Sequence, residues 1–239
     1  MSRSTLRGSA ITAEIRKAQA AAAAAPVDPT ATKKNAKDKA ATAAAPKGAG
    51  EIRIIGGQWK RTRLPVAQRP GLRPTPDRVR ETLFNWLGQD LSGWRCLDAF
   101  AGTGALGLEA ASRGAASVQL VESDAALVAQ LQVLQAKLQA SEVRVQRGDG
   151  VAALKQAAPA SVDLVLLDPP FDGDLFAPAL QAAAKAVAAQ GFIYLEAPRA
   201  WTDEELAGSG LAVYRHLKAG AVHALSLIHI SEPTRPERI

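Results

Sequence analysis

Beyond residue 95, short runs of strand-forming apolar residues alternate with stretches of helical character, and few architectures accept that rhythm. The runs fall at 96–100, 118–122, 143–145, 162–167, 192–195, 211–214 and 222–225, with helical windows at 104–113, 124–139, 151–158, 175–190 and 202–207. A further helical pattern follows Asp77, with Val79, Leu83, Phe84, Trp86 and Leu87 on one stripe and Gly88 at its end. Strands that alternate with helices build βαβ units, and these give an α/β domain: a mostly parallel seven-stranded sheet with helices on both faces. The unbroken apolar run at 162–167 suits a strand buried on both sides.

The first of these strands leads into a glycine turn, Leu97-Asp98-Ala99-Phe100-Ala101-Gly102-Thr103-Gly104-Ala105-Leu106-Gly107. Glycines there let backbone approach a ligand, and the helix that opens behind them offers free N–H groups. Glu122, at the end of the next strand, stands where a carboxylate can accept hydrogen bonds from ribose hydroxyls. Gly102, Gly104 and Gly107 also match the GxGxxG pattern of dinucleotide sites, so the glycines alone decide little. Asp98 decides more. A carboxylate at the strand tip repels a pyrophosphate and favours an ammonium and a sulfonium, which points to S-adenosylmethionine.

The second motif is Asp168-Pro169-Pro170-Phe171, directly after the apolar strand. Two prolines cannot continue a central strand, so the chain stops and stiffens at the crevice edge of the sheet, where α/β ligands bind. The Asp168 carboxylate and the Pro169 carbonyl are acceptors for an exocyclic amine, and Phe171 supplies a stacking face. Fixed acceptors on both N–H hydrogens favour a pyramidal nitrogen whose lone pair points at a methyl donor.

Asp98 to Gly104 followed by Asp168 to Phe171 resembles the class I S-adenosylmethionine-dependent methyltransferases, with a Rossmann-like fold, that modify exocyclic amines. The stretches Arg53-Ile-Ile-Gly-Gly-Gln-Trp-Lys60 and Gly71-Leu-Arg-Pro-Thr-Pro-Asp-Arg-Val-Arg-Glu-Thr-Leu-Phe-Asn-Trp-Leu87 sharpen this. They are similar to the bacterial 16S ribosomal RNA (guanine(966)-N(2))-methyltransferase family, over residues 51–225. The resemblance implies methyl transfer to the N2 amine of a guanine in 16S rRNA. It places Asp98, Gly102 and Gly104 along the methionine part of S-adenosylmethionine, Glu122 at the ribose and Asp149 at the adenine amine, an exposed loop carboxylate being the alternative for Asp149. It sets Thr75 and Arg80 over the cofactor's carboxylate end and makes Asp168, Pro169, Pro170 and Phe171 the catalytic base pocket.

Charge is unevenly distributed within the net +6. Residues 1–50 carry nine basic and three acidic side chains, 51–81 eight and three, and 82–225 ten and fifteen. An acidic globule with a basic front suits a polyanion, here 16S rRNA or the 30S particle. Arg53, Lys60, Arg61, Arg63, Arg73 and Arg78 are the candidate RNA contacts, with Trp59 among them; Arg69 and Arg80 belong to the same basic run. Arginine binds phosphate through two parallel hydrogen bonds and stacks on bases. Arg80 has an alternative, pairing with Asp77 or Glu81 on its own helix.

Residues 1–50, with 17 alanines and no aromatic side chain, lack the bulk to bury a face and read as a disordered basic arm. The basic extension is expected at 51–81 and the catalytic domain at 82–225. Residues 226–239, SLIHISEPTRPERI, break with the Ala-rich body. They resemble translated sequencing-adapter read-through and are expected to replace the genuine end of the last strand.

The single cysteine, Cys96, sits inside an apolar strand with no neighbouring base, which opposes a thiolate route. His216, His223 and His229 lack metal-ligand spacing, so no metal is expected. Trp94 and Trp201 read as packing residues. No apolar run reaches the 18 residues of a membrane span and no signal peptide is evident, so a cytoplasmic monomer is expected. The rival readings are an adenine-N6 methyltransferase, a nicotinamide-dependent oxidoreductase and a non-catalytic RNA-binding protein.

Overall fold

The computed structural model describes residues 51–65, 75–171 and 174–230. The first described segment is a small antiparallel hairpin of β1 (Glu51–Arg53) and β2 (Arg63–Pro65). Helix α1 (Asp77–Trp86) follows. Then come β3 (Arg95–Asp98), α2 (Ala105–Ser112), β4 (Ser117–Glu122), α3 (Ala125–Leu138), β5 (Val143–Arg147), α4 (Gly150–Gln156), β6 (Val162–Leu167), α5 (Phe176–Ala186), β7 (Val187–Ala197), α6 (Asp203–Ala207), β8 (Leu211–Ala219) and β9 (Val222–His229). The main sheet has seven strands in the order β5-β4-β3-β6-β7-β9-β8. The first five are mutually parallel, and β9 enters antiparallel between β7 and β8.

Alternation of side chains along the strands divides the core into two layers. Cys96, Leu164, Leu166, Tyr194 and Ala224 face α1, α2 and α3, meeting Val79, Leu83, Phe84, Leu108, Leu131 and Leu134. Leu97, Val165, Leu167, Ile193, Leu195, Leu225 and Leu227 face the other way, against Leu154 of α4, Leu180 of α5 and Leu206 of α6. Polar caps start several helices: Asp124 accepts from the Ala126 and Leu127 N–H groups, and Thr202 with Glu205 forms a reciprocal capping pair. Helix α2 differs. Its cap is Gly104 in the left-handed conformation, with no side-chain hydrogen bond, which leaves N–H groups open at the sheet's carboxyl rim.

Two boundaries differ from expectation. The helix expected over 175–190 ends at Ala186, because Val187 pairs with Val162 and draws an Ala-rich segment of high helix propensity into the sheet. The last strand does not stop at 225. Ser226 pairs with Tyr194 and Arg215, Leu227 is fully buried, and the strand runs to His229, so the first residues of the atypical tail complete the sheet. Residues 231–239, the arm 1–50, and Arg69 and Arg73 lie outside the described residues. No helix among the described residues is long and apolar enough to cross a membrane.

Candidate active site

Parallel strands bring their carboxyl ends to one rim, and register places the two motifs side by side there. Asp98 of β3 pairs with Leu166 of β6, so Asp168 lies just two residues past that partner on the neighbouring strand. Adjacent strands are about 4.8 Å apart. Asp98 is 1% exposed. Its Oδ2 accepts the Gly107 N–H at 3.0 Å, while Oδ1 is buried without a hydrogen-bond partner. Burial, with the nearby charges of Glu122 and Glu196, pushes its carboxyl up to about 7 against the hydrogen bonds from Gly107 and Phe100. A buried carboxylate oxygen with nothing to accept from is costly, and a cationic donor such as an ammonium answers that need.

The glycine turn around it is built for close approach. Gly102 and Gly104 have φ of 52° and 77°, and a Cβ on Gly104 would fall 2.5 Å from Leu131 Cδ2. Glu122, half-buried at the tip of β4, accepts the Gly102 N–H at 2.8 Å through Oε2 and the Asp124 N–H at 2.8 Å through Oε1. It therefore holds the turn, with lone pairs left for a ligand. Asp149 caps α4, accepting the Ala152 N–H at 2.7 Å, and its side chain is exposed. Gly150 lies so close to Ala99 that a Cβ would come within 2.1 Å of the carbonyl oxygen, which seats Asp149 beside the glycine turn. Three successive strand tips thus present carboxylates around one N-terminal helix end. That set repels a pyrophosphate and fits a ligand with a cationic end and hydroxyl donors.

In the second motif Asp168 is half-buried, Pro169 buried and Pro170 exposed, and Phe171 is 42% exposed with its ring 6.3 Å from that of Phe176. Burial, followed by the charges of Glu196 and Asp98, holds the Asp168 carboxyl well above the usual carboxylate range. Cys96 is buried in the sheet, and burial pushes its thiol up to about 12. Trp94 stacks on Phe192, both half-buried against the core, and Trp201 leans on Phe176 with Arg199 over its ring.

Arg80 departs from expectation. It is 0% exposed and its guanidinium serves the fold: it donates to the Thr75 and Arg53 carbonyls, to Asp77 at 2.6 Å and to Glu109 at 3.2 Å. The pairing with Asp77 wins because α1 puts the two side chains three residues apart. Thr75, buried just before α1, turns its hydroxyl to Glu196. Arg53, Lys60, Arg61, Arg63 and Arg78 are all exposed, with Arg53 beside Asp77 at 3.7 Å and Arg63 on Glu51 at 2.9 Å.

Two residues that sequence reading passed over matter here. Glu109, fully buried in α2, accepts the Ile55 and Gly56 N–H groups at 2.8 Å and binds both Arg80 and Arg113. It docks the basic hairpin on the helix that carries the glycine turn at its other end. A glutamate inside the apolar run Ala105–Ser112 was the available signal. Glu196 lies one residue before the end of β7, beside Asp168, and a charged residue within an apolar strand is the same kind of signal.

Comparison with known proteins agrees with this geometry. A family profile described as Conserved hypothetical protein 95 matches residues 52–228. The Escherichia coli (strain K12) protein named Ribosomal RNA small subunit methyltransferase D is 52% identical over 124 residues, which cover 52% of this chain and 62% of that protein. This match spans less than two thirds of its length. The Haemophilus influenzae protein of the same name is 38% identical over 184 residues, covering 71% of this chain and 95% of that one. A solved Escherichia coli structure, provisionally named methyltransferase yhhF, superimposes with a TM-score of 0.66 at 40% identity, covering 77% of this chain and 100% of that chain. The sheet and its helices are those of the Rossmann-like class I methyltransferase fold, and this chain belongs to the Conserved hypothetical protein 95 family, the family of the ribosomal RNA small subunit methyltransferase D proteins.

Proposed function

We propose that this protein transfers a methyl group from S-adenosylmethionine to the exocyclic N2 of a guanine, guanine 966, in 16S ribosomal RNA, acting as a monomer in the cytoplasm on rRNA either free or in the 30S particle. One juxtaposition carries the reading: the unpartnered Asp98 oxygen and the Asp168-Pro169-Pro170-Phe171 turn stand at the ends of adjacent strands on one rim. The family membership supports ribosomal RNA as the substrate class, and the resemblance carried by residues 53–60 and 71–87 supports the choice of guanine.

When bound, the cofactor supplies a methyl carbon made electrophilic by a positively charged sulfur. Asp98 Oδ1 would accept from its ammonium, the turn at Gly102 and Gly104 would leave room for its methionine part, Glu122 and Asp149 would accept from ribose and adenine, and Thr75 would lie at its carboxylate end. Asp168 and the Pro169 carbonyl accept the two amine hydrogens, which frees the nitrogen lone pair from the ring and aims it; the rigid proline pair keeps these acceptors from reorganising. Phe171 stacks on the target base. Asp168 then takes the proton that leaves the methylated nitrogen. The exposed cations Arg53, Lys60, Arg61, Arg63 and Arg78, with Arg73 beyond the described residues, contact RNA phosphates.

Tritium-labelled S-adenosylmethionine incubated with the protein and either 16S RNA or 30S particles, followed by nucleoside digestion, tests this. The expected product is N2-methylguanosine. Label on N6-methyladenosine would overturn the base assignment, and no label on either RNA form would overturn the activity.

A further inference from the structure

We infer that Glu196 is a positioning residue of this site, acting on the substrate through the Asp168 carboxyl that follows it on the neighbouring strand tip. The inference rests on the proposed methyl transfer.

Register carries the geometry. Leu167 of β6 pairs with Leu195 of β7, so Asp168 and Glu196 follow as the next residues of neighbouring parallel strands. Leu167 and Leu195 face α4 and α5, so the residues after them face the opposite layer, toward α1, as Asp98 does. Glu196 is 4% exposed. It accepts the Tyr194 hydroxyl at 2.9 Å and the Thr75 hydroxyl, and among the described residues it has no ion pair. The cation closest in the chain of contacts, Arg80, reaches Thr75 through the carbonyl and is itself paired with Glu109 and Asp77.

Among the described residues, the titratable groups beside Asp168 are Asp98 from β3 and Glu196 and Tyr194 from β7, with the Thr75 hydroxyl on Glu196. Among the described residues, three carboxyls meet in this corner and none of them has an ion pair to a cation. Like charges in such a place do not all ionise, and a neighbouring pair titrates as a unit. Burial raises both carboxyls; the charge of Glu196 raises Asp168 further, while the Thr75 and Tyr194 hydroxyls favour the ionised form of Glu196. An ionised Glu196 therefore opposes the ionisation of Asp168.

That opposition sets when Asp168 can work. In the transfer, the amine nitrogen forms a bond to the methyl carbon, the methyl–sulfur bond breaks with its electron pair going to sulfur, and the N–H proton passes to the Asp168 carboxylate. Asp168 must be ionised to receive it. Glu196 thus delays the onset of activity to higher pH, and removing its charge makes the enzyme more tolerant of acid.

The test compares wild type with Glu196→Gln in the full chain. The carboxyl carbon of Asp168 is followed by 13C NMR in protein labelled at aspartate, assigned by its loss in Asp168→Asn, alongside kcat and KM against pH. We expect the Asp168 midpoint and the acid limb of kcat to fall together by about one pH unit, with KM for both substrates within about twofold of wild type. An unmoved midpoint, or a kcat lowered by one factor at every pH, overturns the inference. Tyr194→Phe, which keeps every carboxyl, should move the midpoint the same way by less; it decides the matter if the glutamine variant does not fold, and an unmoved midpoint there is equally fatal. If wild type methylates no rRNA, the functional reading falls while the carbon titration still reports on the influence of Glu196 on Asp168.

Discussion

Replacing Asp98 by asparagine should stabilise the cofactor-free protein in alkali while abolishing its use. The carboxyl is 1% exposed, with one oxygen on the Gly107 N–H and the other without a partner. Burial lifts it from 3.8 to about 7. The native state therefore binds this proton more tightly than the unfolded chain does. The stability it contributes is complete below about pH 4 and is lost as pH rises through 7. The full rise corresponds to about 4 kcal/mol. Asparagine keeps an oxygen for Gly107 and carries no charge, but it buries an amide whose unsatisfied hydrogens cost about 1–3 kcal/mol. The expected net gain at pH 8.5 is about 1–3 kcal/mol, and at pH 5 there should be a small loss. Loss of the negative charge also eases the ionisation of Asp168, which adds to the gain with the same sign. Urea unfolding followed by fluorescence of the four tryptophans at the two pH values measures the difference. Calorimetric titration with S-adenosylmethionine should show binding weakened by about a hundredfold or more, as expected when a buried charge pair loses one partner. A variant destabilised equally at pH 5 and pH 8.5 would refute the reasoning, because Asp98 would then be an ordinary structural acceptor.

Asp168→Ala should leave S-adenosylmethionine affinity within about threefold and cut single-turnover methyl transfer by about a hundredfold; equal losses in both would remove Asp168 from the base pocket. Arg61 sits at φ 70°, a left-handed conformation that glycine adopts freely. Arg61→Gly combined with Arg63→Ala should therefore preserve the melting temperature and flatten the salt dependence of RNA binding by about one to two in logarithmic slope; an unchanged slope would place RNA elsewhere. Gly57→Ala would set a Cβ 1.7 Å from the Ser112 carbonyl oxygen at φ +72°. We expect a loss of about 2 kcal/mol or more, with residues 51–65 becoming protease-sensitive, and an unaltered melt and digestion pattern would argue against the docking described.

Much of this was legible in advance, for identifiable reasons. The short, nearly continuous apolar runs marked the strands of the sheet because parallel strands covered on both faces have few other ways to look. Asp98 and Asp168 stood out because a charge or a proline pair at the end of an apolar strand has no packing purpose. What escaped reading depended on tertiary partners. The start of β7 at Val187 follows from its pairing with Val162, which local propensity in an Ala-rich segment opposes. The extension of β9 to His229 follows from the slot between β7 and β8. Arg80 looked like a ligand clamp among other arginines, and only the position of Glu109, 29 residues away, makes it part of the interior.

The way the hairpin is seated on α2 limits how this protein can be re-engineered. The Gly56–Trp59 turn is gripped by Ser112, whose carbonyl accepts the Gln58 N–H at 2.7 Å, whose hydroxyl donates to the Gly56 carbonyl at 2.6 Å and whose oxygen accepts the Trp59 N–H at 3.0 Å. A chimera that borrows a new front end from a relative must import the far half of α2 with it, or the graft will arrive without its socket. The proposed RNA-binding hairpin and the proposed donor turn are in this sense inherited as a package, mounted at opposite ends of one short rod.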